Sequence, residues 1–183
     1  SGLDRAELRG DVLVLPEGAA LDLGAVAKGY AADLLADYLT GLGAQSAVLN
    51  LGGNVLCLGD GPYTVGVRDP YDGEGVLCTV TLPDGIRAAV TSGDYQRYFE
   101  VDGVRYHHIL DPETGMPART GLRSVTVFAE SALTADALST ACFVLGEAAA
   151  LELLAAAFPG VHALFAREDG TLGATPGFWE VMG

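Results

Sequence analysis

Between Ser46 and Ala129 the sequence alternates short apolar runs with turn dipeptides, a pattern that excludes a purely helical fold. Ser46–Asn50 and Asn54–Leu58 flank Gly52-Gly53, which predicts a tight hairpin or bulged bend. Thr64–Arg68, Val76–Leu82 and Ile86–Thr91 follow, separated by Asp-Pro, Asp-Gly and Pro-Asp-Gly turns. Tyr95–Val101 and Val104–Leu110 flank Asp102-Gly103, the strongest hairpin signal in the chain. A further strand is expected at Ser124–Ala129, a closing hairpin at Val161–Arg167 and Thr171–Ala174, and a short early strand at Val12–Leu15. Helical periodicity lies outside this block. It begins in the stretch Leu21 to Asp33 and returns at Thr134–Leu145 and Glu147–Phe158. The order predicts an α+β fold, with a mixed, largely antiparallel sheet and packed helices, as one domain over residues 1–183.

The first helical pattern places Ala27, Ala31, Leu34, Leu35, Tyr38, Leu39 and Leu42 on one stripe, expected to face the core. Asp33 and Asp37 fall on the other face, and Gly41 and Gly43 supply the stop. Gly24 permits a tight turn into the helix, and Lys28, the sole lysine of the chain, lies near its start. Free N–H groups at a helix start attract anions, and an ammonium beside them suits a phosphate. A capped surface helix with a solvated lysine is the plainer alternative. The spacing does not match a P-loop.

Charge constrains the partners. A formal net charge of -14 and a sequence pI near 4.3 argue against nucleic acid or an anionic membrane surface. They also require that any anionic substrate meet local compensation from cations, helix ends or a divalent metal. Cys57, Cys78 and Cys142 are odd in number and sit in apolar runs, so buried free thiols are expected. No stretch reaches the ~20 apolar residues of a membrane span. The chain opens on Ser1-Gly2 without methionine, as a processed or trimmed chain would.

Three further stretches carry candidate chemistry. In Tyr106-His107-His108-Ile109-Leu110-Asp111-Pro112, strand alternation sends the two histidines to opposite faces, so one alone can share a cleft with Lys28. In Ser131 to Thr140, helical spacing puts Asp136, Ser139 and Thr140 on one face. That is an oxygen set suited to Mg²⁺, although capping by Ser131 or Thr134 with Asp136 in the first turn is the plainer reading of this segment alone. Thr91-Ser92-Gly93-Asp94-Tyr95 is a hydroxyl-rich glycine turn able to present donors to phosphate, and Asn50-Leu51-Gly52-Gly53-Asn54 is similar. Together these outline a Mg²⁺–nucleotide phosphate site.

These segments, in this order from about Leu21 to Leu145, resemble the FAD:protein FMN transferase (ApbE) family. The resemblance implies Mg²⁺-dependent splitting of FAD, with FMN joined through a phosphoester to a threonine of an acceptor flavoprotein and AMP released. By position it assigns Mg²⁺ to Asp136, Thr140, Ser139 and the carbonyl of Ala25. It places Asp22, Lys28 and Leu110 at the FAD and makes His108 the catalytic histidine, with the role of base. Family members usually carry a further N-terminal region that completes the flavin pocket, so this chain is expected to be the carboxy-terminal portion. The resemblance implies an extracytoplasmic, envelope location. A non-catalytic FAD-binding module or fragment, and an FAD pyrophosphatase with water as acceptor, remain open beside the transferase.

Overall fold

The computed structural model describes residues 5–72 and 75–182. Its elements in chain order are β1 (Glu7–Arg9), β2 (Val12–Val14), α1 (Ala27–Gly41), β3 (Ala47–Asn50), β4 (Asn54–Leu58), β5 (Tyr63–Arg68) and β6 (Val76–Leu82). They continue with β7 (Ala88–Gly93), β8 (Tyr98–Val101), β9 (Val104–His107), β10 (Leu122–Ala129), α2 (Ala132–Leu145), α3 (Glu147–Ala157), β11 (His162–Arg167), β12 (Leu172–Ala174) and α4 (Phe178–Met182). A six-stranded sheet runs in the order β12-β11-β10-β7-β4-β3, and β1-β2, β5-β6 and β8-β9 form separate two-stranded ribbons. Every pairing among these strands is antiparallel. The expected α+β architecture is present, with an antiparallel sheet.

Period-2 alternation builds two cores on the two faces of the sheet. Leu56, Val90, Val125 and Val127 pack with Ala132, Ala135 and Phe143 of α2 and Ala150 and Leu154 of α3. Cys57, Ala89, Phe128 and Leu164 face the other way, against Val65, Val67 and Val80 of the β5–β6 ribbon and Phe178 and Met182 of α4. The hairpin signals hold where the backbone demands them. Gly52 and Gly53 have φ of 67° and 87°, Asp102 and Gly103 have φ of 51° and 75°, and each pair closes its hairpin. Asp72-Gly73, expected as the β5–β6 turn, lies partly outside the described residues. All three cysteines are free thiols; Cys57 and Cys142 are buried, and Cys78 is half-buried. No described helix is long and apolar enough to cross a membrane.

Three expectations need correction. The stripe predicted to bury α1 is largely exposed, with Leu34, Leu35, Tyr38 and Leu42 all at the surface, and the buried residues are Gly29, Ala32 and Ala36. The cause is a close helix crossing, because a Cβ on Gly29 would lie 2.7 Å from Leu133 Cα. Small residues let the backbones of α1 and α2 meet, and large ones cannot. Second, β7 runs past the expected strand end at Thr91 to Gly93, so Ser92 and Gly93 are strand residues paired with Val125 and Ser124 rather than turn residues. Third, α2 starts at Ala132, which places Asp136 beyond its first turn; Ser131 caps it, accepting from the Thr134 N–H.

Candidate active site

The crossing of α1 and α2 is tied by reciprocal capping. Asp33 of α1 accepts from Ser131 Oγ (2.7 Å) and from the Ala132 and Leu133 N–H groups (2.9 and 3.0 Å) at the start of α2. Asp136 of α2 accepts in turn from the Gly29 N–H (2.9 Å) at the start of α1. Each carboxylate satisfies orphan donors of the other helix. Asp136 is 3% exposed and forms no ion pair among the described residues. Burial pushes its carboxyl above the ordinary aspartate value, opposed by the Gly29 N–H and the Lys28 ammonium.

Behind Asp136 lies a hydroxyl ladder. Ser139 Oγ donates to the Asp136 carbonyl (3.0 Å), and Ser92 Oγ bonds Ser139 Oγ (2.9 Å) and Thr140 Oγ1 (3.1 Å). Ser139 is fully buried. On the other sheet face Thr91 and Thr126 share a bond of 2.8 Å. These contacts tie β7 to α2 on one face and to β10 on the other.

A cleft of about 1280 Å³ opens there, lined by Asp22, Ala25, Lys28, His108, Leu110, Asp136 and Thr140. Every residue singled out for the site reaches this cleft except Ser139, which sits behind it. Asp22 Oδ1 accepts from the Gly24 N–H (2.6 Å), shaping the loop that carries Ala25, and Lys28 Nζ reaches within 3.5 Å of the Gly52 carbonyl. Gly52 and Gly53 line the same cleft.

His108 closes the cleft from the β8–β9 ribbon. Its N–H donates to the Arg97 carbonyl (3.2 Å), and its Nδ1 lies 3.3 Å from the same oxygen. A carbonyl can only accept, so this contact keeps the proton on Nδ1 and leaves the Nε2 lone pair free. Partial burial lowers the His108 pKa below the imidazole value, the Arg97 carbonyl opposes this, and the Arg97 and Lys28 charges lower it further. His107 takes the opposite side as alternation predicts. It is buried, bonds the Ala118 carbonyl (3.1 Å) and meets Phe143 edge-on.

Sequence reasoning missed two arginines. Arg68, at the end of β5, and Arg97 both line the cleft with Lys28. None of the three forms an ion pair among the described residues, so a protein of net charge -14 gathers three cations around one cavity whose carboxylates are Asp22 and Asp136. Only the assembled topology could reveal this, since lone arginines at strand ends carry no pattern. The arrangement suits an anion held between cations, a buried carboxylate and a neutral imidazole.

The fold and this cleft define a chain of the ApbE family, whose model matches residues 2–165, and the chain belongs to that family. It is 46% identical over 173 residues to the FAD:protein FMN transferase of Treponema pallidum, covering 87% of this chain and 47% of that protein. It is 45% identical over 136 residues to that of Klebsiella pneumoniae, covering 74% of this chain and 42% of that protein. The ApbE protein of Thermotoga maritima superposes with a TM-score of 0.88 at 39% identity, over 100% of this chain and 60% of that one. The flavinyl transferase ApbE of Pseudomonas stutzeri, in its apo form, gives 0.80 at 35% identity, over 100% and 58%. The chain thus spans about half the length of the curated relatives it matches.

Proposed function

We propose that this chain carries the catalytic cleft of an FAD:protein FMN transferase, with FAD as substrate and a threonine-bearing flavoprotein as acceptor. The observation that supports this most is the convergence of Asp136 and Thr140 of α2, Lys28 of α1 and His108 on one cleft from three separate segments. The reading also draws on relatives that bear this activity in their names.

The donor set fits Mg²⁺. It offers one buried carboxylate without an ion-pair partner, the Thr140 hydroxyl and peptide carbonyls, all hard oxygen. No three His, Cys, Asp or Glu residues gather as a metal cage among the described residues, which suits a cation that keeps waters and substrate phosphates. Asp136, Thr140 and the Ala25 carbonyl would hold the ion, with Ser139 fixing the Asp136 backbone from behind. Such an ion would supply positive charge to offset that of a pyrophosphate and of the leaving phosphate.

The chain's own groups do the rest in this reading. Lys28, Arg68 and Arg97 draw the pyrophosphate into an otherwise acidic protein. Asp22 and Leu110 border the flavin nucleotide. His108, with its proton held on Nδ1, accepts the threonine hydroxyl proton at Nε2. The threonine oxygen bonds the FMN phosphorus, the phosphoanhydride bond to AMP breaks, and AMP leaves. Incubation with FAD, Mg²⁺ and an acceptor domain, followed by intact mass of the acceptor, tests this. The expected result is one FMN per acceptor and none when the acceptor threonine is valine. Free FMN with an unmodified acceptor would replace transfer by hydrolysis.

A further inference from the structure

Beneath the carboxylate of this site lies a side chain to which nothing above assigns a task. Asn54 opens β4 and is 0% exposed, and both its amide nitrogen and its amide oxygen are buried without a hydrogen-bond partner. An amide brings two donors and an acceptor, and burying them unpaired costs stability that an apolar side chain would not. The backbone keeps it there. The Leu51 N–H donates to the Asn54 carbonyl (2.8 Å), and Asn54 pairs with Val90 of β7. Its side chain shares a strand face with Leu56 and Leu58, the face that packs toward α1 and α2. Its amide lies close enough to Asp136 to favour the charged carboxylate, without closing into a formed hydrogen bond. A buried unpaired amide aimed at a buried carboxylate is an expected device where a ligand completes the network.

We propose that Asn54 is a positioning residue for Asp136: when a divalent cation binds, the Asn54 amide N–H donates to the Asp136 carboxylate and fixes its orientation. This rests on the metal reading proposed above. Donors behind a metal-bound carboxylate set its angle and its share of charge, and their loss weakens metal affinity by about 10–100-fold. The same logic gives the cation-free protein an opposite sign. There the amide closes no formed hydrogen bond, so an isosteric apolar replacement removes a desolvation cost and forfeits only the weaker attraction to Asp136.

The test uses Mn²⁺ as probe, with the free ion followed by electron paramagnetic resonance during titration, and thermal unfolding of the chelator-treated chain. Asn54→Leu is expected to bind Mn²⁺ about 10–100-fold more weakly while its metal-free Tm equals or exceeds that of wild type. Asn54→Ser, which removes the amide without adding bulk, should lose the same affinity. Wild-type Mn²⁺ affinity in either variant, or a metal-free Tm lowered by several degrees in Asn54→Leu, overturns the proposal. Asp136→Ala separates the two levels of the argument. Loss of Mn²⁺ in that variant with full binding in Asn54→Leu sinks the role of Asn54 alone. Asp136→Ala binding as wild type does, or wild type taking up no Mn²⁺, sinks the metal reading and this inference with it.

Discussion

The two walls of the cleft are built in opposite ways. The wall carrying Asp136 is the α1–α2 crossing, where Gly29 and Ala132 meet backbone to backbone and each helix caps the other. The wall carrying His108 is the root of the β8–β9 ribbon, which leaves Tyr98, Phe99, Val101 and Val104 exposed. That ribbon is tethered by polar bonds. Asp94 accepts from Arg105 (3.4 Å) and Arg123 (2.7 Å), and the Arg105 carbonyl accepts from Arg119. Close packing tolerates no shift, whereas the ribbon beyond its buried His107 is held by a few polar bonds and can move by rotating side chains. The group proposed to hold charge thus sits on the rigid wall, and the group proposed to move a proton sits on the adjustable one.

The sharpest way to break this comparison is at the histidines. His108→Ala is expected to lower kcat by about 10²–10⁴-fold, the range for a general acid–base, with little change in Tm. His107→Ala should do the reverse, costing about 1–3 kcal/mol of stability through its buried bond to Ala118. Urea unfolding beside steady-state turnover reads both. Equal rate losses would mean that the ribbon acts as a unit.

Next in size is Lys28→Met, expected to weaken FAD binding by about 1.5–3 kcal/mol, the scale of a charge-assisted hydrogen bond. Its stability should hold, because methionine and lysine have similar helix propensity. Calorimetry with Mg²⁺ present measures the first and thermal unfolding the second. A solvated lysine would leave both flat.

Gly29→Ala probes the rigid wall directly. Its Cβ would lie 2.7 Å from Leu133 Cα and closer still to the Ala132 carbonyl, both backbone atoms that cannot turn aside. The expected cost is about 1–3 kcal/mol of stability, with Asp136 losing its alignment as the helices part. Asp33→Ala should cost about 1 kcal/mol by uncapping α2. Denaturant midpoints rank the two, and the reverse order would show that capping, not close approach, holds the crossing.

The smallest effect is a pH shift. The role proposed for His108 requires a neutral imidazole, and its pKa is held below the ordinary imidazole value, by partial burial first and then by Arg97 and Lys28. Activity therefore falls as pH drops through that lowered pKa. Arg97→Gln removes one cation, lets the pKa rise, and moves the acid limb of the kcat profile to higher pH. A limb that stays put would remove Arg97 from the account of His108.

Legibility in the sequence followed the range of the forces involved. Gly52-Gly53 and Asp102-Gly103 announced their hairpins because positive φ is a local demand. Alternation separated His107 from His108 for the same reason. The buried face of α1 was misread because periodicity weighs large apolar residues, while the crossing selects Gly29, Ala32 and Ala36. The mutual capping by Asp33 and Asp136 joins residues about a hundred positions apart, which no window along the chain contains. The site residues emerged from several motifs in family order, not from any one of them. Asn54, in a stretch read from sequence only as a glycine turn able to meet phosphate, gained meaning only once its burial near Asp136 was seen.

The central claim is that both walls serve one transfer of FMN. It is tested most directly by following, in one quenched reaction with FAD and Mg²⁺, AMP release and acceptor mass for wild type, Asp136→Ala and His108→Ala. The account predicts AMP and FMN-acceptor in equal amounts from wild type, neither from Asp136→Ala, and both lowered together in His108→Ala. Wild-type yields of modified acceptor from either variant would contradict it.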